Sequence, residues 1–240
     1  GDHDVRLIAS EAPLGSSRAI VERGQDGEPV YVFNEAAQRR SIRYSDEAVH
    51  AMADAGLVAV SCFPFDVPAE VDALLAAAGD ARLAIDPNPR SGMLSDREEF
   101  VRGFERAAGG AAIVKVGADD AALLYDGDLD ALRARLRGLG VRAVLATAGA
   151  AGAALESDAG VVTAPISALP GRVVDTVGAG DATLAAVAAG LADGTPADAE
   201  VWQKLLDRAM DVAAATCRTE GGLLRTPESL ADADRGVFGS

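Results

Sequence analysis

The run VVDTVGAGDATLAAVAAGLADG, residues 173–194, joins an apolar strand-like stretch to an Ala-rich helical one through small residues flanked by Asp175 and Asp181. If a helix begins near Ala179, the N–H groups of Gly178, Ala179 and Gly180 point outward at its positive end with no partner inside the helix. Their lack of bulk lets a phosphate approach that backbone closely. Asp181, in the first turn, could then accept a proton from a hydroxyl held beside the anion. These residues alone leave a plainer reading open, in which Asp181 is a helix-start carboxylate and the glycines only shape a turn.

Such a site needs a frame. From residue 57 onward, short apolar runs alternate with helical ones: LVAVSCF, PAEVDALLAAAG, ARLAID, SDREEFVRGFERAAGG, AAIVKVG, DLDALRARLRGLG and VRAVLATAG. Two short strands around Leu155 and Val161 follow, then the opening motif and a last long helix in DAEVWQKLLDRAMDVAAATC. This alternation predicts an α/β fold, a three-layer αβα sandwich on a mostly parallel sheet. In such sheets ligands bind beyond the carboxyl ends of the strands. Four loops there are polar or glycine-rich: DPNPR, KVGADD, TAGAAG and DTVGAGD. Upstream, SSRAIVERGQDGEPVYVFN reads as a hairpin turning at Asp26-Gly27 that stands off the core, and Ser45 reads as the N-cap of a short helix. The expected division is a partial β lid over 14–42 and a single core over 43–240.

Composition narrows the classes. With 37 acidic and 22 basic residues the formal net charge is −15, which argues against nucleic acid or an anionic membrane surface as partner. No apolar run approaches a membrane span, and the start shows no signal-peptide pattern. Cys62 and Cys217 lie far apart without zinc-like spacing, and read as buried thiols in a reducing cytoplasm. Two phosphate-binding motifs are excluded: neither lysine, Lys115 or Lys204, follows a glycine as a Walker A loop needs, and Thr183 stands where a dinucleotide fingerprint needs Gly or Ala. Trp202 and Met210 fit packing better than chemistry.

The seven residues DTVGAGD resemble the D-T-x-G-A-G-D motif of ribokinase-like (PfkB-type) carbohydrate kinases. DPNPR is similar to the D-P-N-x-R segment of fructokinase-like and 2-keto-3-deoxygluconate kinase-like members, TAGAAG to the T-x-G-x-x-G nucleotide loop, and ATCRTEGG to the turn beside the adenine. The resemblance runs from about residue 13 to 227. It implies phosphoryl transfer from ATP, with Mg²⁺, to a sugar hydroxyl in a cytoplasmic enzyme. Asp181 then matches the catalytic base, and Gly178, Ala179 and Gly180 the anion hole. Thr147, Gly149, Gly152, Lys115, Asp120 and Gly221 fall on the nucleotide side. Asn88 and Arg90 fall on the substrate side, with Arg18 and Tyr31 on the lid. Asp175 and the Val177 carbonyl match a monovalent-cation site, for K⁺, near Gly221, and Asp120 matches a group that orders the water shell of Mg²⁺. Pairing of lids into a homodimer is a further expectation from the resemblance.

Two departures keep other readings open. Where the family has Asn or Ser, then Glu or Asp three residues on, KVGADD supplies Gly117 and Asp120. Gly117 has no side chain to meet a phosphate, and Asp119 and Asp120 could simply cap the helix DDAALLY. The family's opening strand, with its substrate-binding Asp, and the Gly-Gly segment after it are not found, so about the first quarter of the fold is expected to be missing. A non-catalytic nucleotide- or sugar-binding protein on a kinase scaffold therefore stands as an alternative. An adenosine- or hydroxymethylpyrimidine-type kinase is a third reading, disfavoured by DPNPR.

Overall fold

The computed structural model describes residue 7, residues 13–23 and residues 29–230. Among these the elements run β1 (Ala19–Arg23), β2 (Pro29–Phe33), α1 (Glu35–Gln38), α2 (Asp46–Asp54), β3 (Val58–Ser61), α3 (Pro68–Ala78), β4 (Leu83–Asp86), α4 (Arg97–Ala108), β5 (Ile113–Gly117), α5 (Ala118–Tyr125), α6 (Leu129–Gly138), β6 (Ala143–Thr147), β7 (Ala153–Ser157), β8 (Gly160–Ala164), α7 (Ala179–Leu191) and α8 (Ala199–Thr216). Short 3-10 turns at Ser91–Met93 and Gly149–Ala151 shape two of the loops.

The central sheet has six strands in the order β3-β4-β5-β6-β7-β8. Strands β3 to β6 are parallel, whereas β6-β7 and β7-β8 pair antiparallel. The parallel part follows from helices α3 to α6 intervening between strands, while one glycine-rich turn and one tight turn leave β7 and β8 no room for a crossover.

Strand parity divides the core. Val60, Leu83, Ile85, Val114, Val116 and Val144 face α3, α4, α5 and α6, where they pack with Leu74, Phe100, Phe104, Leu124 and Leu136. Ala84, Ile113, Ala143, Leu145, Leu155 and Val162 face the other way, against Leu184, Val187, Leu191, Trp202 and Leu206 of α7 and α8. Helices thus cover both faces of the sheet, as the alternation predicts, and Trp202 and Met210 are buried there. Gly190 lets the two helices meet closely, since a Cβ at that position would lie 2.2 Å from Leu205 Cδ2.

The loop after β3 is pinned by aromatics. Phe65 is fully buried, with ring centroids 5.0 Å from Phe63, 5.4 Å from Phe100 and 5.6 Å from Phe104. Ser45 caps α2 by accepting the Ala48 N–H at 3.1 Å, the N-cap read from the sequence.

Strands β1 and β2 form a separate antiparallel ribbon, Ile20 opposite Val32. The Asp26-Gly27 turn and the Tyr31 side chain lie outside the described residues. At the base of the ribbon, Asn34 accepts the N–H groups of Arg18 and Ala37, and Gln38 Nε2 donates to the Gly92 carbonyl at 3.4 Å, beside the loop after β4. The cysteines depart from expectation: Cys62 and Cys217 are free but only partly buried, Cys62 directly after β3 and Cys217 as the C-cap of α8. None of the described helices is long and apolar enough to cross a membrane.

Candidate active site

Helix α7 begins at Ala179, with Gly178 as its N-cap at φ 81°. The approach to it is built by Asp175, whose Oδ1 accepts the Val177 N–H at 2.9 Å while Oδ2 accepts the Gly221 N–H at 3.1 Å. Those amides hold the Asp175 carboxyl below the usual carboxylate range, Val177 contributing most and Gly221 next. The N–H groups of Val174 and Asp175 donate to the Cys217 carbonyl at 2.8 and 3.2 Å, which ties this loop to the end of α8. The two loops interlock at Gly178, where a Cβ would stand 2.9 Å from Gly222 Cα.

The amides expected to form the anion hole are not equivalent. Ala179 donates its N–H to the Thr176 carbonyl at 3.2 Å, whereas Gly178 and Gly180 have no backbone acceptor among the described residues. Asp181 is exposed, and its carboxylate has no hydrogen bond or ion pair among the described residues. One turn into the helix the chain is anchored: Thr183 Oγ1 donates to the Ala179 carbonyl at 2.7 Å and is buried.

Beneath Gly180 lies the residue pair that carries the strongest electrostatics of the site. Lys115, in the middle of β5, donates from Nζ to Asp86 Oδ2 at 3.0 Å, and a Cβ on Gly180 would touch Lys115 Nζ at 3.0 Å. Asp86 ends β4, one pleat beyond the pair Ala84–Ile113, so both charged groups point to the face covered by α7. Asp86 is fully buried, and its other oxygen accepts the Asn88 N–H at 3.1 Å, holding Asn88 at φ 40°. Burial raises the Asp86 pKa from its ordinary 3.8 to about 6; Lys115 opposes that rise, while Asp120 and Asp181 add to it. Sequence reasoning left Asp86 without a role. The available signal was a carboxylate closing the apolar run LAI, with a lysine inside the neighbouring apolar run AAIVKVG.

Asp120 is buried too, with its pKa raised by burial and held back by Lys115, the Gly117 amide and Arg90. Its Oδ2 accepts the Gly117 N–H at 2.6 Å, so it caps α5. Gly117 pairs with Thr147 across β5 and β6. A Cβ at 117 would lie 3.5 Å from Asp120 Oδ2 and 3.6 Å from Thr147 Oγ1, which leaves room for a polar side chain between them. Thr147 Oγ1 donates to the Val116 carbonyl at 3.4 Å, and the loop closes through Ala148 N–H to the Gly152 carbonyl at 2.8 Å and Gly152 N–H to the Gly149 carbonyl at 3.1 Å. Arg90 is exposed and reaches the cluster only through its field on Asp120.

Contacts and electrostatic coupling therefore link Asp86, Asn88, Lys115, Gly117, Asp120, Thr147 and Gly180 along one end of the sheet, Asp181 joins them only through its field on Asp86, and Asp175, Gly178 and Gly221 frame the start of α7. A pocket of about 320 Å³ opens on the α6 side of the 147–152 loop, lined by Ala148, Ala151, Gly152, Pro165 and Arg133, but neither Lys115 nor Asp181 borders it. Among the described residues no group of three or more His, Cys, Asp or Glu side chains could hold a metal ion unaided.

This arrangement has relatives. A fructokinase of Rhizobium leguminosarum bv. trifolii is 32% identical over 177 residues, which are 69% of this chain and 52% of that protein, so the chain spans about half the length of the curated relative. Aminoimidazole riboside kinase from Salmonella enterica, solved with aminoimidazole riboside and an ATP analogue, is 25% identical with a TM-score of 0.61 over 73% of this chain and 61% of that one. A putative ribokinase II from E. coli in complex with ATP and Mg²⁺ shares the fold at a TM-score of 0.67 and 21% identity, covering 88% of this chain and 67% of that one. A family model described as pfkB family carbohydrate kinase matches residues 5–228, and the chain belongs to that family.

Proposed function

We propose that this chain is the nucleotide-binding and catalytic portion of an ATP-dependent sugar kinase with fructokinase-like loops. The observation that carries the reading is the exposed, unpartnered Asp181 carboxylate beside the open amides of Gly178 and Gly180, with the Lys115 ammonium behind them. Phosphoryl transfer needs little covalent help from the protein; alignment and stabilisation of spreading negative charge do most of the work. In this reading the α7 amides and helix dipole hold the transferring group, and Asp181 accepts the proton of the attacking hydroxyl. Thr147, Gly149, Gly152 and Gly221 flank the nucleotide, while Asn88 and Arg90 face the acceptor.

Mg²⁺ would arrive with ATP and neutralise phosphate charge. The residues present suit such an ion held mainly by phosphate oxygens and water, with Asp120 ordering the water shell through the oxygen that Gly117 leaves free. Asp175 and the Val177 carbonyl are the candidate K⁺ site, although two amides already orient that carboxylate. The ribbon within 14–42 serves as a lid over the acceptor side, its base lying by the loop after β4, with 43–240 as the core; lid-to-lid pairing would make a homodimer. Two free cysteines and no membrane-crossing helix among the described residues suit a cytoplasmic enzyme.

The test is ADP release with MgATP and K⁺ across fructose, 2-keto-3-deoxygluconate, ribose and a nucleoside, repeated with Asp181→Asn. Turnover with one acceptor, abolished in the variant with ATP binding intact, supports the proposal; an undiminished variant removes Asp181 as base. A second reading, a non-catalytic binding protein, draws on Gly117, which leaves the gap between Asp120 and Thr147 unfilled. ATP or sugar binding by calorimetry without ADP release on any acceptor would favour it.

A further inference from the structure

We infer that Asp86 is a positioning residue: it holds the Lys115 ammonium against the first turn of α7, where that charge adds to the amides that face a phosphoryl group. The inference rests on reading the α7 start as the phosphoryl site. Two carboxylates interact with this single ammonium, Asp86 from β4 and Asp120 from α5, while Asp181 from α7 adds its field at Asp86. Only Asp86 bonds to it, at 3.0 Å. Both Asp86 oxygens are committed, one to Lys115 and one to the Asn88 amide, so the carboxylate cannot rotate away.

Geometry makes the pair directional. Lys115 Nζ lies close enough to Gly180 that a methyl group there would touch it. An alternative partner for the ammonium exists in the buried Asp120, which already feels the Lys115 charge. Without Asp86 the ammonium is drawn toward Asp120 and away from Gly180. A buried carboxylate also costs free energy that a neutral side chain would not, so packing alone gives no reason for an aspartate there. Its effect on bound phosphate passes through Lys115, and Asp86 itself touches no reacting atom.

The chain contains only two lysines, Lys115 and Lys204, which makes the test direct. Protein labelled with ¹³C at lysine Cε gives two lysine side-chain signals, and the exposed Lys204, paired with Glu200, is the internal control. The probe is the non-hydrolysable ATP analogue AMP-PNP with Mg²⁺. In the unsubstituted protein the Lys115 signal should show inequivalent Hε protons and shift on titration together with the amides of Gly178 and Gly180, while Lys204 stays still. Asp86→Asn should collapse the inequivalence and weaken AMP-PNP binding about tenfold or more. Asp86→Glu should recover part of both.

Absence of AMP-PNP binding overturns the kinase reading and this inference with it. Binding that moves the α7 amides but leaves the Lys115 signal unmoved overturns the inference alone. So does an Asp86→Asn protein that loses thermal stability yet keeps full affinity and an unchanged Lys115 signal, since that is the behaviour of a purely structural residue. Should Asp86→Asn fail to fold, the response of Lys115 in the unsubstituted protein still decides the matter.

Discussion

The interlock between Gly178 and Gly222 can be measured against a built-in control. Gly178 has φ 81° and Gly221 has φ 75°, so alanine at either position must adopt a left-handed backbone, at a cost of about 1–2 kcal/mol. The surroundings differ. A Cβ at 178 would meet Gly222 Cα at 2.9 Å, its carbonyl oxygen at 3.0 Å and its carbonyl carbon at 3.2 Å, all backbone, whereas a Cβ at 221 meets nothing within 4 Å. Forcing a backbone apart by such overpacking costs about 1–3 kcal/mol more. Gly178→Ala should therefore unfold at lower urea than Gly221→Ala by a difference of that size. The displacement also falls on the first turn of α7, and a misplacement near 1 Å at a reacting group can cost about 10²-fold in rate. Urea titrations of both variants, with ADP release and AMP-PNP affinity on each, make the comparison. Equal destabilisation together with equal loss of binding would show that the two loops do not depend on this contact, and the packing argument would be wrong.

Further outcomes follow from the same geometry. Asp181→Asn should lower turnover at least about 10²-fold, the contribution of a positioned general base, and leave AMP-PNP affinity within severalfold; a large loss of affinity would instead make Asp181 a binding group. Lys115→Met leaves Asp86 buried without its cation and should destabilise by about 3–5 kcal/mol in urea, while adding Asp86→Asn should recover most of it; an additive double variant would mean that the two groups do not interact. The pH dependence has a fixed sign. Because the folded pKa of Asp86 stands near 6, above its ordinary 3.8, the folded state holds that proton more tightly, so the Asp86 contribution to stability is fullest below about pH 4 and is lost as pH rises through 6. Asp86 alone accounts for about 3 kcal/mol of that fall, seen as the difference in urea midpoints between the unsubstituted protein and the Asp86→Asn, Lys115→Met double variant. Finally, Gly117→Asn places a side chain where a Cβ meets Asp120 and Thr147 at no less than 3.5 Å, at φ −110°, and should tighten AMP-PNP binding at little cost in stability; weaker binding would show that the gap is needed.

Much of this frame was legible because periodicity and burial agree. Ser45 before an acidic first turn marked α2, and the apolar runs ending at Asp86, Gly117 and Thr147 marked strands whose ends carry the site. The reversal of direction at β6-β7 was not legible as such, since a five-residue strand reads the same whichever way its neighbour runs. Side-chain roles were harder. Asp120 in KVGADD could be read as a ligand or a cap, and only the 2.6 Å bond from the Gly117 amide shows that one oxygen caps α5. Asp86 drew no role from the sequence because its partner is 29 residues away, a pairing that exists only once β4 and β5 lie in register. The amides of the α7 start were read as equivalent, yet the turn at Thr176 engages Ala179 and spares its neighbours, a distinction set by the left-handed Gly178 rather than by composition.

The placement of charge in this site follows from pleat and helix composition together. In β4 and β5 the positions facing α7 are Ala84 and Ile113, both fully buried, followed one pleat later by Asp86 and Lys115. An ion pair at that depth needs a covering helix that approaches closely without a side chain of its own in the way, and the first turn of α7 offers Ala179 and Gly180. Farther along, the same helix turns apolar, placing Leu184, Val187 and Leu191 against α8 and the sheet. Helix α7 is thus anchored by its second half and bare at its start. The pair beneath it is shielded from water by backbone rather than by side chains, so the ammonium's charge extends past Gly180 to the surface where Asp181 stands. A bulkier residue at 180 would protect the pair better and separate it from that surface, which is the physical reason to expect glycine there whatever the acceptor proves to be.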